Sequence, residues 1–168
     1  MSLSKLTIVI PTFYPGKIIK KCLASLPLNS EIIIIDNGED PELEKIIKLQ
    51  KKKIKHYKVG DVGLPKSFNI ALKKSKNENI LITQPDVFFE KDSIINLIKA
   101  QKKYSKAGII SPLLFEKKKY SQYDYLDLYL SKLGKLKNTR RPKRISILPS
   151  GDICVEAVNA TAMLIKKS

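Results

Sequence analysis

The chain has 168 residues, room for one domain with a real hydrophobic core and too little for two comfortable ones. Its hydrophobic fraction is 43% and its net charge +16, so it reads as a soluble globular protein whose field draws phosphates, whether on nucleotide, nucleic acid or anionic lipid. No window approaches the ~18 uninterrupted apolar residues of a membrane span, and two distant cysteines beside a single histidine argue against a zinc site.

In chain order, the β-branched run from Leu6 to Ile10 predicts a strand buried on both faces and ended by Pro11. Ile18, Ile19, Cys22, Leu23 and Leu26 recur at helical spacing over residues 17–26. A second buried strand, Glu31 to Ile35, stops at Asp36-Asn37-Gly38. Asp40-Pro41 opens a helix that runs to about Lys52, with an acidic cap and proline in the first turn. Residues 54–59 form a short alternating strand, residues 65–74 a helix, and residues 79–83 a strand ended by Gln84-Pro85-Asp86. Asp92 caps a helix over 93–103, and residues 107–111 are a further strand. Residues 115–150 read as an irregular or mobile excursion, aromatic and acidic at 120–130 and basic through Arg140-Arg141-Pro142-Lys143-Arg144, before core composition returns at 155–165. The order of elements predicts a single α/β domain over 1–168, three layers deep, with a mostly parallel central sheet.

In such a sheet, ligands bind beyond the carboxyl ends of the strands. The residues just past each strand are therefore informative: Pro11-Thr12-Phe13-Tyr14, then Asp36-Asn37-Gly38, then Asp61 and Gly63 with Asn69 further on, then Pro85-Asp86. Singly, each is also what a turn uses; together they favour a site. Neither a Gly-x-Gly-x-x-Gly turn nor a phosphate-loop lysine motif is present, which argues against a dinucleotide oxidoreductase or a P-loop enzyme. A strand-end carboxylate without a glycine cradle suggests instead a divalent cation that holds a diphosphate.

These residues resemble the inverting nucleotide-sugar glycosyltransferases of GT-A fold, the rhamnosyltransferase-like family. Ile8-Val9-Ile10-Pro11-Thr12-Phe13 is similar to the family's opening strand and turn, with Tyr14 where the family usually has Asn. EIIIIDNG from Glu31 to Gly38 resembles the second strand, and the resemblance gives Asp36 the contact with the nucleoside base. Gly63 and Asn69 match a later motif, in which Asp61 and Ala71 are departures and Lys66 is placed to reach a phosphate or to stay solvated. Gln84-Pro85-Asp86 resembles a reduced metal-binding motif, which implies Asp86 as ligand of Mg²⁺ or Mn²⁺ bridging the donor diphosphate. Residues 155–165 resemble the family's Val-Asp-Trp-Val-Ser-Gly-Ala-Ala-Met-Leu strand.

The family's later acidic pair, its usual catalytic base, is not among these residues, so the C-terminal part of the family's domain is expected to be missing. Glu156 and Asp152 are the nearest substitutes, each equally suited to a cap or surface role. The expected function is transfer of a sugar from a nucleotide-diphosphate donor to a glycan, lipid-linked or protein acceptor. The expected setting is cytoplasmic, with peripheral contact to anionic membrane through the basic surface. The alternatives are a degenerate donor-binding domain and a basic nucleic-acid-binding protein, although no nucleic-acid module is recognisable. Abundant lysine and isoleucine also fit a thermophile-like composition.

Overall fold

The computed structural model describes residues 5–116, 119–120, 125–126, 128–130, 136–138, 151–152, 154, 157–158 and 160–167. The chain begins with β1 (Leu6–Thr12), a 3₁₀ turn (Gly16–Ile18), α1 (Ile19–Ser25), β2 (Glu31–Asp36), α2 (Pro41–Lys48) and β3 (Ile54–Lys58). It continues with α3 (Leu64–Lys74), β4 (Asn79–Thr83), α4 (Ser93–Lys103) and β5 (Ile109–Ile110). Short strands follow: β6 (Phe115–Glu116), β7 (Lys119–Tyr120), β8 (Tyr125–Leu126), β9 (Leu128–Leu130), β10 (Leu136–Asn138) and β11 (Ala157–Val158), then β12 (Ala162–Lys166).

Six strands make one sheet in the order β3-β2-β1-β4-β12-β5. The β3, β2, β1 and β4 strands are parallel, and β12 runs antiparallel between β4 and β5. The side chains explain this arrangement. Ile32, Ile33, Ile34 and Ile35 are all fully buried, which only a sheet covered on both faces permits. Leu6, Ile8, Ile10, Ile32 and Ile34 meet Ile19, Cys22 and Leu23 of α1, Leu43 and Ile46 of α2, and Ile94, Leu97 and Ile98 of α4. Val9, Ile33, Ile35, Ile80 and Ile82 meet Ala71 of α3, with Phe68 and Leu72 packed alongside. The result is a three-layer α/β fold with a mostly parallel central sheet.

Several local expectations are corrected. β1 continues through Pro11 to Thr12, where a stop was expected. β4 pairs with β1 only as far as Val9, so Pro11 is paired on its β2 side alone and its missing N–H breaks no ladder. The first helix begins as a 3₁₀ turn, and α2 ends at Lys48, not near Lys52. Asp40 caps α2 as expected, its carboxylate accepting from the Glu42 N–H at 2.9 Å. Asp92 stands at the cap position of α4 but makes no cap hydrogen bond, because it is left-handed at φ 65° while a capping side chain needs an extended backbone. Within 115–150, the described residues include the antiparallel pairs β6–β7 and β9–β10, and β8 pairs with β11.

Candidate functional site

The sheet order sets the site. From β1 the chain steps outward through β2 to β3, then returns to the other side of β1 as β4. The switch point therefore lies between the carboxyl ends of β1 and β4, where Thr12 to Tyr14 and Gln84 to Asp86 emerge.

Asp86 is exposed and makes no hydrogen bond or ion pair with the other described residues. It lies close enough to α1 to act on Cys22, whose thiol is pushed up to about 12 by burial first and then by the Asp86 charge. The Cys22 S–H points at the Gln84 carbonyl at 3.6 Å, which anchors the 84–86 turn on α1. Asp36 faces the same side of the sheet, since strand alternation places it with Ile32 and Ile34 against α1 and α2. The two carboxylates thus belong to one edge and one face.

Their states differ. Asp36 is fully buried: one oxygen accepts from the Gly38 N–H at 3.2 Å, the other from the Asp40 N–H at 3.1 Å and lies 3.1 Å from His56 Nε2. The carboxylate expected to meet the nucleoside base is therefore closed over by its own turn. Asn37 is also buried and internally satisfied. Its amide donates to the carbonyls of Thr12 and Ile35 and accepts from the Ser67 hydroxyl at 2.9 Å, tying the ends of β1, β2 and α3 together. Pro11 and Thr12 lie buried beneath this node.

Above it, Tyr14 is 61% exposed and left-handed at φ 45°, its ring set edge-to-face on Phe13 at 5.0 Å. A Cβ on Gly38 would meet the Tyr14 ring at 3.0 Å, so the ring lies directly over that glycine. Gly63, at φ 74°, starts α3 in a conformation that side chains rarely adopt, and it is exposed beside exposed Lys66. Pro85 is half-buried.

Two expected residues are not brought to this rim. Asn69 is exposed, about 200° around α3 from buried Ser67, and so points away from the sheet. Asp152 accepts from the Tyr104 hydroxyl at 2.9 Å and from Lys103 Nζ at 3.2 Å. That is the C-terminal end of α4, which leads into β5 and away from the strand carboxyl ends; the contacts hold Asp152 below the usual carboxylate range. Glu156 lies outside the described residues. Two residues that sequence reasoning gave no role, Phe13 and His56, join the rim. Strand alternation was the available signal for His56, which lies on the Ile54 face of β3 opposite Ile34.

Among the described residues, no group of three or more His, Cys, Asp or Glu side chains is placed to hold a metal ion. One free carboxylate at the switch point still fits Mg²⁺ or Mn²⁺, which is often bound through one or two carboxylates and completed by substrate phosphates and water. No helix among the described residues is long and apolar enough to cross a membrane.

Comparison with known proteins agrees with this fold. A mannosyltransferase from Pyrobaculum calidifontis, solved with GDP-Man and Mn²⁺, superposes with a TM-score of 0.59 at 17% identity, over 66% of this chain and 36% of its own. S. aureus TarS 1-349 with UDP-GlcNAc gives 0.57 at 18% identity, over 74% and 39%. A 4-diphosphocytidyl-2C-methyl-D-erythritol synthase from Anaerococcus prevotii gives 0.61 at 13% identity, over 98% and 72%. The chain thus spans well under half of the two transferases. A search of curated protein sequences found no significant match. The sequence model described as Glycosyl transferase family 2 matches residues 7–162, and with that span of match the chain belongs to glycosyl transferase family 2.

Proposed function

We propose that this chain forms the donor-binding part of a glycosyltransferase, which moves a sugar from a nucleotide-diphosphate donor to an acceptor hydroxyl with inversion. The observation that carries the reading is the free, exposed carboxylate of Asp86 at the switch point, beside the end of β1. The two transferase neighbours, solved with GDP-Man and Mn²⁺ and with UDP-GlcNAc, support it.

A Mg²⁺ or Mn²⁺ ion on Asp86 would neutralise charge developing on the leaving diphosphate. Lys66 lies at the N-terminal turn of α3, where a cation and the open N–H groups favour the same anion. Tyr14 and Gly63 border the donor. The acceptor is a glycan or a lipid-linked sugar, and the lysine-rich surface favours its delivery at an anionic membrane. Asp152, held at the far end of α4, is set aside as the base for the acceptor hydroxyl.

The test is a thermal-shift screen of UDP-, GDP- and dTDP-sugars with and without Mn²⁺, since a ligand that binds only the native state raises the midpoint by mass action. At least one donor should stabilise the protein in Mn²⁺, and Asp86→Ala should remove the Mn²⁺-dependent part of that shift. An Asp86→Ala protein that still binds the donor as tightly as wild type in Mn²⁺ refutes the assignment.

A further inference from the structure

The helices α1, α2 and α4 pack on the same face of the sheet, and helix phase decides which of their side chains point out of that layer. In α1, Ile19, Cys22 and Leu23 point in, which turns Lys21 outward, with Lys17 of the preceding turn beside it. In α2, Leu43 and Ile46 point in, and Lys45 and Lys48 point out. In α4, Ile94, Leu97 and Ile98 point in, and Lys99 points out. These lysines are exposed, and the ion pairs of the described residues do not involve them. The acids of the three helices do little to offset them, since Glu44 is taken by Lys58 of β3 and only Glu42 is left.

Exposed apolar side chains stand among the lysines: Ile18 before α1, Leu49 after α2 and Ile95 in α4, at 43%, 78% and 38% exposure. Lysine interspersed with apolar residues suits a bilayer interface, where ammonium groups meet anionic head groups and the apolar side chains enter the acyl boundary. A nucleic acid would instead be served by aromatic rings on which bases stack, and α1, α2 and α4 carry none. We propose that the outer face of the α1–α2–α4 layer docks on an anionic lipid bilayer. The inference rests on the lipid-linked acceptor reading above and deepens it by naming the face that meets the membrane. It also sets an orientation. A bilayer against this layer runs along the sheet, so the carboxyl edge that bears Asp86 opens sideways over the membrane, about one helix diameter above it. The 3₁₀ turn that leads from β1 into α1 puts Lys17 and Ile18 where the docked face meets that edge.

The test is sedimentation of the whole chain with two kinds of vesicle at physiological ionic strength: phosphatidylcholine alone, and equal parts phosphatidylcholine and phosphatidylglycerol. Wild type should sediment with the mixed vesicles and not with the neutral ones. A lysine at such a surface contributes about fivefold to partition, so Lys21→Glu with Lys48→Glu should weaken binding by at least about 20-fold. Lys73→Glu with Lys76→Glu makes the same change in net charge at exposed positions of α3 and its end, and α3 packs on the opposite face of the sheet. Screening should keep that variant within about threefold of wild type. Ile95→Ser leaves the charge alone and should weaken vesicle binding by about fivefold. Wild type that ignores the mixed vesicles, or equal losses in the two charge-reversed variants, overturns the inference. So does binding to a duplex RNA that is tighter than to the mixed vesicles and is lost with Lys21 and Lys48. Vesicle binding needs no donor, so a protein that sediments with lipid yet fails the nucleotide-sugar screen overturns the donor-site reading and supports the docking face.

Discussion

The edge of the sheet opposite the site holds a polar network whose strength can be worked out bond by bond. Glu31, at the start of β2, pairs with Lys55 of β3 through one oxygen. Its other oxygen accepts from the Thr7 hydroxyl at 2.5 Å and the Lys76 N–H at 3.3 Å. Thr7, fully buried, also accepts from Ser75 at 2.8 Å and Asn77 at 3.1 Å, so the network joins β1, β2, β3 and the end of α3.

Glu31→Gln keeps the shape and removes the charge. The Lys55 pair is partly wet, with side chains 28% and 15% exposed, and contributes about 0.5 kcal/mol. The part-buried bond from Thr7 to a charged acceptor contributes about 1.5 kcal/mol. The variant should therefore lose about 2 kcal/mol at neutral pH, read by urea unfolding as a midpoint about 1 M lower with an unchanged slope.

The pH dependence has a definite sign. Burial pushes Glu31 up, but the bonds from Lys55, Thr7 and the Lys76 amide outweigh it and hold its carboxyl below the ordinary value. A depressed carboxylate adds stability above its unfolded value and loses it as pH falls through the folded one. Wild type should thus lose more stability than Glu31→Gln on the acid side of the ordinary glutamate range. Donor affinity should stay within about twofold of wild type, because the change lies at the edge away from the strand carboxyl ends. A stability loss below about 0.5 kcal/mol, or parallel acid limbs in the two proteins, refutes the account.

Other expectations rest on single sites. The Cys22 thiol, buried and pushed up to about 12, should resist a disulfide reagent at neutral pH in the native state, whereas free, exposed Cys154 reacts; both should react in denaturant. Asp40→Ala should cost about 1 kcal/mol through the lost cap on α2. Asp92→Gly should be neutral or stabilising by up to about 1 kcal/mol, since the aspartate is left-handed and bonds nothing at the cap. Gly38→Ala should destabilise by about 1–3 kcal/mol through contact with the Tyr14 ring and backbone. Adding Tyr14→Gly should recover part of that loss in a double-mutant cycle, by removing the ring and relieving the left-handed tyrosine.

Local pattern made the elements legible. Unbroken β-branched runs mark doubly buried strands, 3.6-residue periodicity marks the helices, and Asp40-Pro41 marks a helix start. The carboxyl-edge rule then placed Asp36 and Asp86 at one rim before any coordinates, because strand order in an open parallel sheet leaves few alternatives. Short-range signals could not settle what depends on contacts between distant segments. Pro11 stays in its strand only because β4 stops pairing at Val9. Asp92 fails as a cap because the backbone entering α4 is left-handed there. Asn69 leaves the rim because helix phase is set by which face of α3 packs on the sheet.

The same distinction separates the two carboxylates. Both are strand-end aspartates in sequence, and composition treats them alike. Sequence by itself determined that they share an edge; only the tertiary structure decided that one is free and the other sealed. Burial and hydrogen-bond saturation are properties of what packs around a group, and His56, Gly38 and Asp40 reach Asp36 only once β3 and α2 are in place.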